Sequence, residues 1–505
     1  MSVVNNKTIA KNTIFLYVRM LIIMVVGLYT VRAILRILGV EDYGIYNVVG
    51  GVVTIFSFID GTLTTSSQRY FSMELAKGDE KRLNQWFSLN VTAFSVLIPI
   101  FIIIAESIGL WFVNNKMIIP EERVYAANVV YQLSIVAFCV HFFSIPYNAL
   151  IIAHEKMSAF AYISVVEAIA KLLIVYLLSI SGGDKLIIYA VLMLILTICM
   201  TSTYIIYNRI HFKESRYRLY WNKGEFLGLL SFSGWHFIGT LSVVVRGQGI
   251  NILINMFFNP AINGARAIAY QIYNAIHQLS NNFFVAIKPQ IYKSYAAAEY
   301  NELYKLIMRS TIICSLLTSI LVFPVLANTH YILKLWLGVV PDYAVIFTTL
   351  VLINGLIDST NGPTTAAVLA TGKIRNYELI VATLYMLNLP LSYVALRFGA
   401  EPTATMMISI IMSLLVTFAR AFILGKKVPL PFKSYLCLFG KIILISFLAW
   451  GIIVVLSQNH ADSFWKLIFN SVVIIVIVLS LYLMIVFDRS DIKILVNMIM
   501  KKLNR

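Results

Sequence analysis

The sequence predicts an all-α polytopic membrane protein with about 14 transmembrane helices. These form two six-helix lobes around a central cavity, plus two C-terminal helices. Three observations carry this expectation. Of 505 residues, 60% are hydrophobic and only 12% are charged, whereas a soluble domain carries about 25% charged residues. The apolar residues fall into runs long enough to cross a bilayer, which takes about 20 residues per helix. No connecting loop exceeds about 20 residues, so neither side of the membrane has room for a soluble catalytic domain. A soluble enzyme, a disordered scaffold and a nucleic-acid-binding domain are excluded.

The spans follow in order. The first, 10–37, carries Arg19 and lacks a small-residue cleavage site, so it reads as a retained span and not as a leader. The second, 43–73, is opened by Gly44 and is unusually polar. Apolar runs at 86–113, 123–153, 158–180 and 185–208 complete the first six. The seventh, 226–256, contains Arg246, and the eighth, 264–290, is again unusually polar. Further runs lie at 304–327, 343–370, 375–397 and 402–424, and the last two at 434–457 and 465–487. Lys and Arg concentrate in alternate loops, most densely in Arg209–Lys223, at about three to one. That bias places both termini in the cytoplasm and demands an even number of spans.

Shifting the chain by 220 residues superposes two hydropathy patterns. Gly44 falls on Gly264, Ala76 on Ala296, Asp79 on Glu299 and Leu83 on Leu303. The expected organisation is therefore an N-lobe at 1–210, a C-lobe at 211–425, accessory helices at 426–488 and a basic amphipathic tail at 489–505. A six-span unit keeps its orientation when repeated, which predicts two bundles related by an axis along the membrane normal. The tail, with Ile492, Leu495, Ile499 and Leu503 at helical spacing among basic residues, is expected on the anionic cytoplasmic leaflet. It also accounts for part of the +17 net charge.

Cys139, Cys199, Cys314 and Cys437 sit in apolar stretches with no CxxC pair, which excludes a disulfide framework and a zinc site. There is no GxxxxGK[ST], HExxH or GxSxG motif, so no catalytic residue, metal or cofactor is expected. Transport would run on an ion gradient, H+ or Na+, or on substrate and product concentrations.

Ionisable groups at membrane depth are costly and face an interior. Arg19 and Arg246 are such groups, and the 220-residue shift puts Arg246 on position 26, about two helical turns from Arg19. Guanidinium forks bind phosphate oxygens in pairs, so both are candidate receivers of an anionic head group. Polar stripes run along span seven (Gln248, Asn251, Asn255), span eight (Gln271, Asn274, Gln278, Asn281) and span ten (Asn354, Asp358, Asn361). Such stripes do not face lipid. They suit a sugar or another polar cargo. Asp60 and Asp358 lack an obvious local partner and are candidates for a coupling-ion site or for ion pairs with the buried arginines. Glu167 and Lys171, four apart, are expected to neutralise each other, and His141 and Glu106 to have local structural roles.

The stretch Lys11–Arg69, and within it LGVEDYGIYN at Leu38–Asn47, resembles the start of bacterial polysaccharide-biosynthesis proteins. The second piece looks like the "LGxxxYGxY" turn of Wzx-type oligosaccharide flippases, of the multidrug/oligosaccharidyl-lipid/polysaccharide exporter superfamily. The resemblance implies a cell inner membrane protein that moves an undecaprenyl-pyrophosphate-linked oligosaccharide during surface polysaccharide or O-antigen assembly. Partners expected are that lipid-linked oligosaccharide, membrane lipids, a coupling ion and glycan-assembly proteins, with no nucleic acid. A lipid II or drug/cation transporter of the same superfamily, or an integral-membrane glycan polymerase or ligase, are the alternatives.

Overall fold

A computed structural model describes residues 6–54, 57–115, 117, 119–258, 260–428, 431–456 and 463–487. The basic tail expected at 489–505 lies outside the described residues. Among these the regular structure is helical, with no strand. Eleven helices are long and apolar enough to cross a membrane, and a bent pair makes twelve. The second and eighth expected spans are also helices, at Ser57–Lys77 and Pro260–Ala296, but too polar to pass on composition.

The chain divides into two compact units, Met1–Phe237 with Tyr292–Ala298, and Ile238–Ile291 with Glu299–Arg505. The boundary falls inside a helix, at 237/238 and not at the expected 210/211, and the two C-terminal helices group with the second unit.

The first unit begins with α1 (Asn6–Thr54), α2 (Ser57–Lys77) and α3 (Glu80–Ile104). Gly39 breaks α1 with φ 81° and ψ 169°, a conformation that a Cβ would strain. This is the first glycine of LGVEDYGIYN, and its neighbours fix the bend. Arg123 bridges Asp42 of the motif and Asp184, the latter at 2.7 Å, and Tyr46 packs edge-on against Tyr189 at 4.6 Å. Asp79 caps α3 by accepting the Arg82 amide at 2.9 Å. α3 continues through a π-helical turn, Ala105–Gly109, into α4 (Leu110–Asn115). There the Ala105 carbonyl accepts both the Leu110 amide and the Tyr131 hydroxyl, the latter at 2.8 Å. The unit closes with α5 (Val124–Phe142), α6 (Ser144–Ala153), α7 (Met157–Ile180) and α8 (Lys185–His211). α1 packs on α7, α5 on α8 and α2 on α6. The expected Glu167–Lys171 pair is present at 2.8 Å.

The second unit takes most of α9 (Lys223–Phe257) and α10 (Pro260–Ala296). It continues with α11 (Tyr300–Ala327), α12 (Thr329–Leu337), α13 (Ala344–Asp358), α14 (Asn361–Ala370), α15 (Arg375–Arg397), α16 (Ala404–Lys427), α17 (Phe432–Leu456) and α18 (Phe464–Ile485). α13 and α14 form a helix pair bent by 41° that is long and apolar enough to cross a membrane only when taken together. Pro363 follows the break, and the Ser359 and Thr360 hydroxyls turn back onto the Leu356 and Ile357 carbonyls at 2.7 and 2.8 Å. The freed groups find other helices: Thr360 O accepts from Tyr435 on α17 at 3.3 Å, and Asn361 Oδ1 from Thr417 on α16 at 3.1 Å. Non-helical backbone at membrane depth persists only with such partners. α18 is anchored on α11 by the buried Tyr482, whose hydroxyl meets Ser315 at 2.6 Å and Ser319 at 3.0 Å.

Candidate functional site

The second unit carries a half-open chamber of about 460 Å³ lined by polar and aromatic side chains. α9 supplies Arg246 and Gly247, and α10 supplies Tyr270, Tyr273, Asn274, His277 and Asn281. The α13–α14 break supplies Asp358 and Asn361, α15 supplies Tyr385, and α16 supplies Arg420. Two guanidiniums and one carboxylate give the lining an excess of positive charge.

The aromatic residues set the walls. Tyr273 stacks on His277 with centroids 5.3 Å apart and meets Tyr270 edge-on at 6.0 Å. Gly355 makes this possible, because a Cβ there would meet the Tyr273 ring at 2.7 Å. The Arg246 guanidinium lies over the Tyr385 ring at 4.5 Å. Its Nη1 is buried without a hydrogen-bond partner, and so is Nε of Arg420. Neither Arg246 nor Arg19 has a carboxylate within ion-pair distance among the described residues. Asp358 is held by amides: Asn354 donates at 2.8 Å and Asn361 at 3.5 Å.

The structure brings Arg246, Asn274, Asn281 and Asp358 to one chamber, with Asn354 behind Asp358. It places the other expected residues elsewhere. Asn251 bonds Gln248 at 3.1 Å and accepts from Arg266, so these amides tie α9 to α10 outside the lining. Asn255 and Gln278 are exposed and outside the lining as well. Arg19 and Asp60 belong to the first unit. The Arg19 guanidinium covers the Phe160 ring at 4.4 Å. Asp60 does have partners, Thr64 at 3.1 Å and His141 at 3.0 Å, so it pairs with an imidazole and not with an arginine.

Two residues escaped the sequence reading. Arg420 interrupts the apolar run 402–424, and the depth criterion that singled out Arg246 marks it equally. Arg266 is 4% exposed and stacks on Tyr270 at 4.5 Å while donating to Asn251 and the Gly247 carbonyl. It positions two lining residues without lining the chamber itself.

The family described as polysaccharide biosynthesis protein matches residues 9–295, more than half of the chain. The chain belongs to that family. Among curated proteins, the uncharacterized membrane protein EpsK of Bacillus subtilis (strain 168) is 25% identical over 145 residues. That match covers 29% of this chain and 28% of EpsK, so the family member spans under a third of the curated relative it matches. Solved MATE structures share the fold. One in complex with MaD3S has a TM-score of 0.71 at 11% identity, covering 83% of this chain and 96% of the other. An outward-facing multidrug resistance MATE transporter of the MOP superfamily has a TM-score of 0.71 at 11% identity over 85% and 96%. A MOP superfamily transporter from Pyrococcus furiosus, described by the reverse polarity of its binding pocket, has a TM-score of 0.68 at 12% identity over 82% and 96%. This member of the polysaccharide biosynthesis protein family is thus a multi-pass helical membrane protein with a MATE-type fold.

Proposed function

We propose that the protein translocates a lipid-linked oligosaccharide, carried on undecaprenyl pyrophosphate, across the bacterial inner membrane with both termini cytoplasmic. The observation that carries this reading is the chamber of the second unit, where a deep guanidinium keeps an unsatisfied donor beside aromatic faces and amides. A pyrophosphate accepts from Arg246 through charge-assisted bonds. Asn274 and Asn281 offer donors and acceptors to hydroxyls, and the Tyr273–His277 stack offers an apolar face to a sugar ring. Access to the chamber alternates between the two sides of the membrane. An H+ or Na+ gradient drives the cycle, with Asp358 in the chamber and Asp60 beside His141 as the carboxylates able to bind the ion. Family membership supports the polysaccharide pathway.

The test is flipping of a fluorescent lipid-linked glycan by the full chain in liposomes. Native protein should flip it, Arg246→Lys should flip it slowly because charge remains without the fork, and Arg246→Ala should not. A native protein that moves no glycan lipid, or an Arg246→Ala protein at the native rate, overturns the reading.

A further inference from the structure

Between α8 and α9, residues 212–222 form a strap laid along α3 in the first unit. One face of α3 holds it, through Asn84, Ser88 and Thr92 at four-residue spacing. The Asn84 amide donates to the Glu214 and Arg216 carbonyls at 2.8 and 2.7 Å. The buried Ser88 hydroxyl accepts the Arg218 amide at 3.1 Å, and Thr92 meets the Tyr217 hydroxyl at 3.1 Å. Charges on the strap are sorted. Glu214 turns inward to His154 at 2.5 Å, and Glu225, just beyond the strap, pairs with Arg82 at 2.9 Å. Lys213, Arg216, Arg218 and Lys223 stay exposed, and neither arginine has an ion-pair partner among the described residues. Apolar groups stand out beside them: Tyr217 is 44% exposed, Leu219 85%, and Trp221, which packs on Phe226 at 4.6 Å, 52%.

We propose that the strap binds anionic phospholipids of the leaflet beside it. Arg216 and Arg218 hold the phosphodiesters, and Tyr217, Leu219 and Trp221 sit among the glycerol groups and first acyl carbons. Three observations select this partner. The first is charge: both acids are engaged inward, so the outward face carries cations alone, and guanidinium forks suit phosphate oxygens. The second is the apolar tip, since Leu219 between Arg218 and Tyr220 is a poor surface for water and a good one for the acyl boundary. The third is depth. One turn beyond Thr92 the strapped face of α3 becomes apolar and exposed, at Val96 and Ile100. The exposed Trp111 on α4 lies 19 residues after Thr92, about 28 Å at 1.5 Å per residue. That is close to the hydrocarbon thickness of about 30 Å, and Trp favours the interface. With Trp111 at one boundary, Thr92 and the strap tip stand at the other. The inference is independent of the cargo and of which side of the membrane the strap faces.

The test titrates the full chain, in neutral detergent, with fluorescent phosphatidylglycerol and with phosphatidylcholine of the same chains. An arginine close to anionic lipid contributes about fivefold in affinity. Native protein should therefore bind phosphatidylglycerol about 25-fold more tightly than phosphatidylcholine. Arg216→Gln with Arg218→Gln should bring the two lipids level, and the strap should stay in place because its anchors are backbone groups and Tyr217. Lys156→Gln with Lys373→Gln removes the same charge from two other exposed positions and should leave the preference intact. Leu219→Ser should weaken both lipids equally, since it meets chains and not phosphate. A photoactivatable phosphatidylglycerol should label residues 216–221. Equal native affinity for the two lipids overturns the proposal, as does native affinity in the double arginine variant. An equal loss in the lysine control would mean diffuse surface charge and not a built site. Labelling confined to other segments also overturns it. Full displacement of phosphatidylglycerol by polyglutamate at equal charge would assign the strap to an acidic protein instead.

Discussion

Replacing Arg246 by Met separates a binding role from a structural one. The guanidinium loses a cation–π contact with Tyr385, at 4.5 Å, worth about 0.5–2 kcal/mol. The same change removes a buried donor with no partner, and such a group costs about 1–3 kcal/mol. Met retains the apolar stem and much of the volume. The two contributions offset, so folding stability should change by no more than about 1–2 kcal/mol. Binding has no such offset. A hydrogen bond to a charged group contributes about 1.5–3 kcal/mol, so the pyrophosphate should bind roughly ten- to 150-fold more weakly. The assay is thermal unfolding of the full chain in detergent, with and without undecaprenyl pyrophosphate. Native protein should melt higher with ligand, and Arg246→Met should melt near the native temperature and gain little from ligand. A variant that melts far below native protein yet binds as tightly would refute the reasoning, because Arg246 would then be a packing residue.

Tyr482→Phe removes the hydroxyl joining α18 to Ser315 and Ser319. It should lower stability by about 1–2 kcal/mol in the same melt, and an unchanged melt would show that the two serines find other partners. Glu214, in the Arg209–Lys223 loop, is bonded to His154 at 2.5 Å. Burial disfavours its charge, but the His154 bond, a backbone amide and the imidazole's charge outweigh burial and hold the carboxyl below its ordinary value of 4.5. A depressed value stabilises the loop above that ordinary value and ceases to do so as pH falls through the lowered one. Proteolysis of the loop should therefore accelerate in acid, and Glu214→Gln should flatten the pH profile. A reporter fused at Lys213 should behave as cytoplasmic, and an outside signal would reverse the expected orientation.

The fold was legible because it depends on summed properties. Composition and apolar run length find most spans, and the two polar ones, α2 and α10, were found as runs although they fail on hydropathy alone. The break at 359–360 inside the expected span 343–370 is readable too, since Gly362 and Pro363 follow two hydroxyl residues. The site was only partly legible, because stripes specify a face but not its neighbour. Asn251 and Asn274 share a stripe chemistry, but only Asn251 meets Arg266. Asp60 looked unpartnered because His141 lies 81 residues away, a contact that no local spacing rule contains.

The π turn at Ala105–Gly109 bears on how this chain compares with shorter relatives. A residue added to an α-helix rotates everything beyond it by about 100°. A wide turn absorbs the addition, so Leu110–Asn115 keep the facing that a straight helix one residue shorter would give them. An alignment gap of one should then fall at 105–109 without disturbing the apolar pattern on either flank.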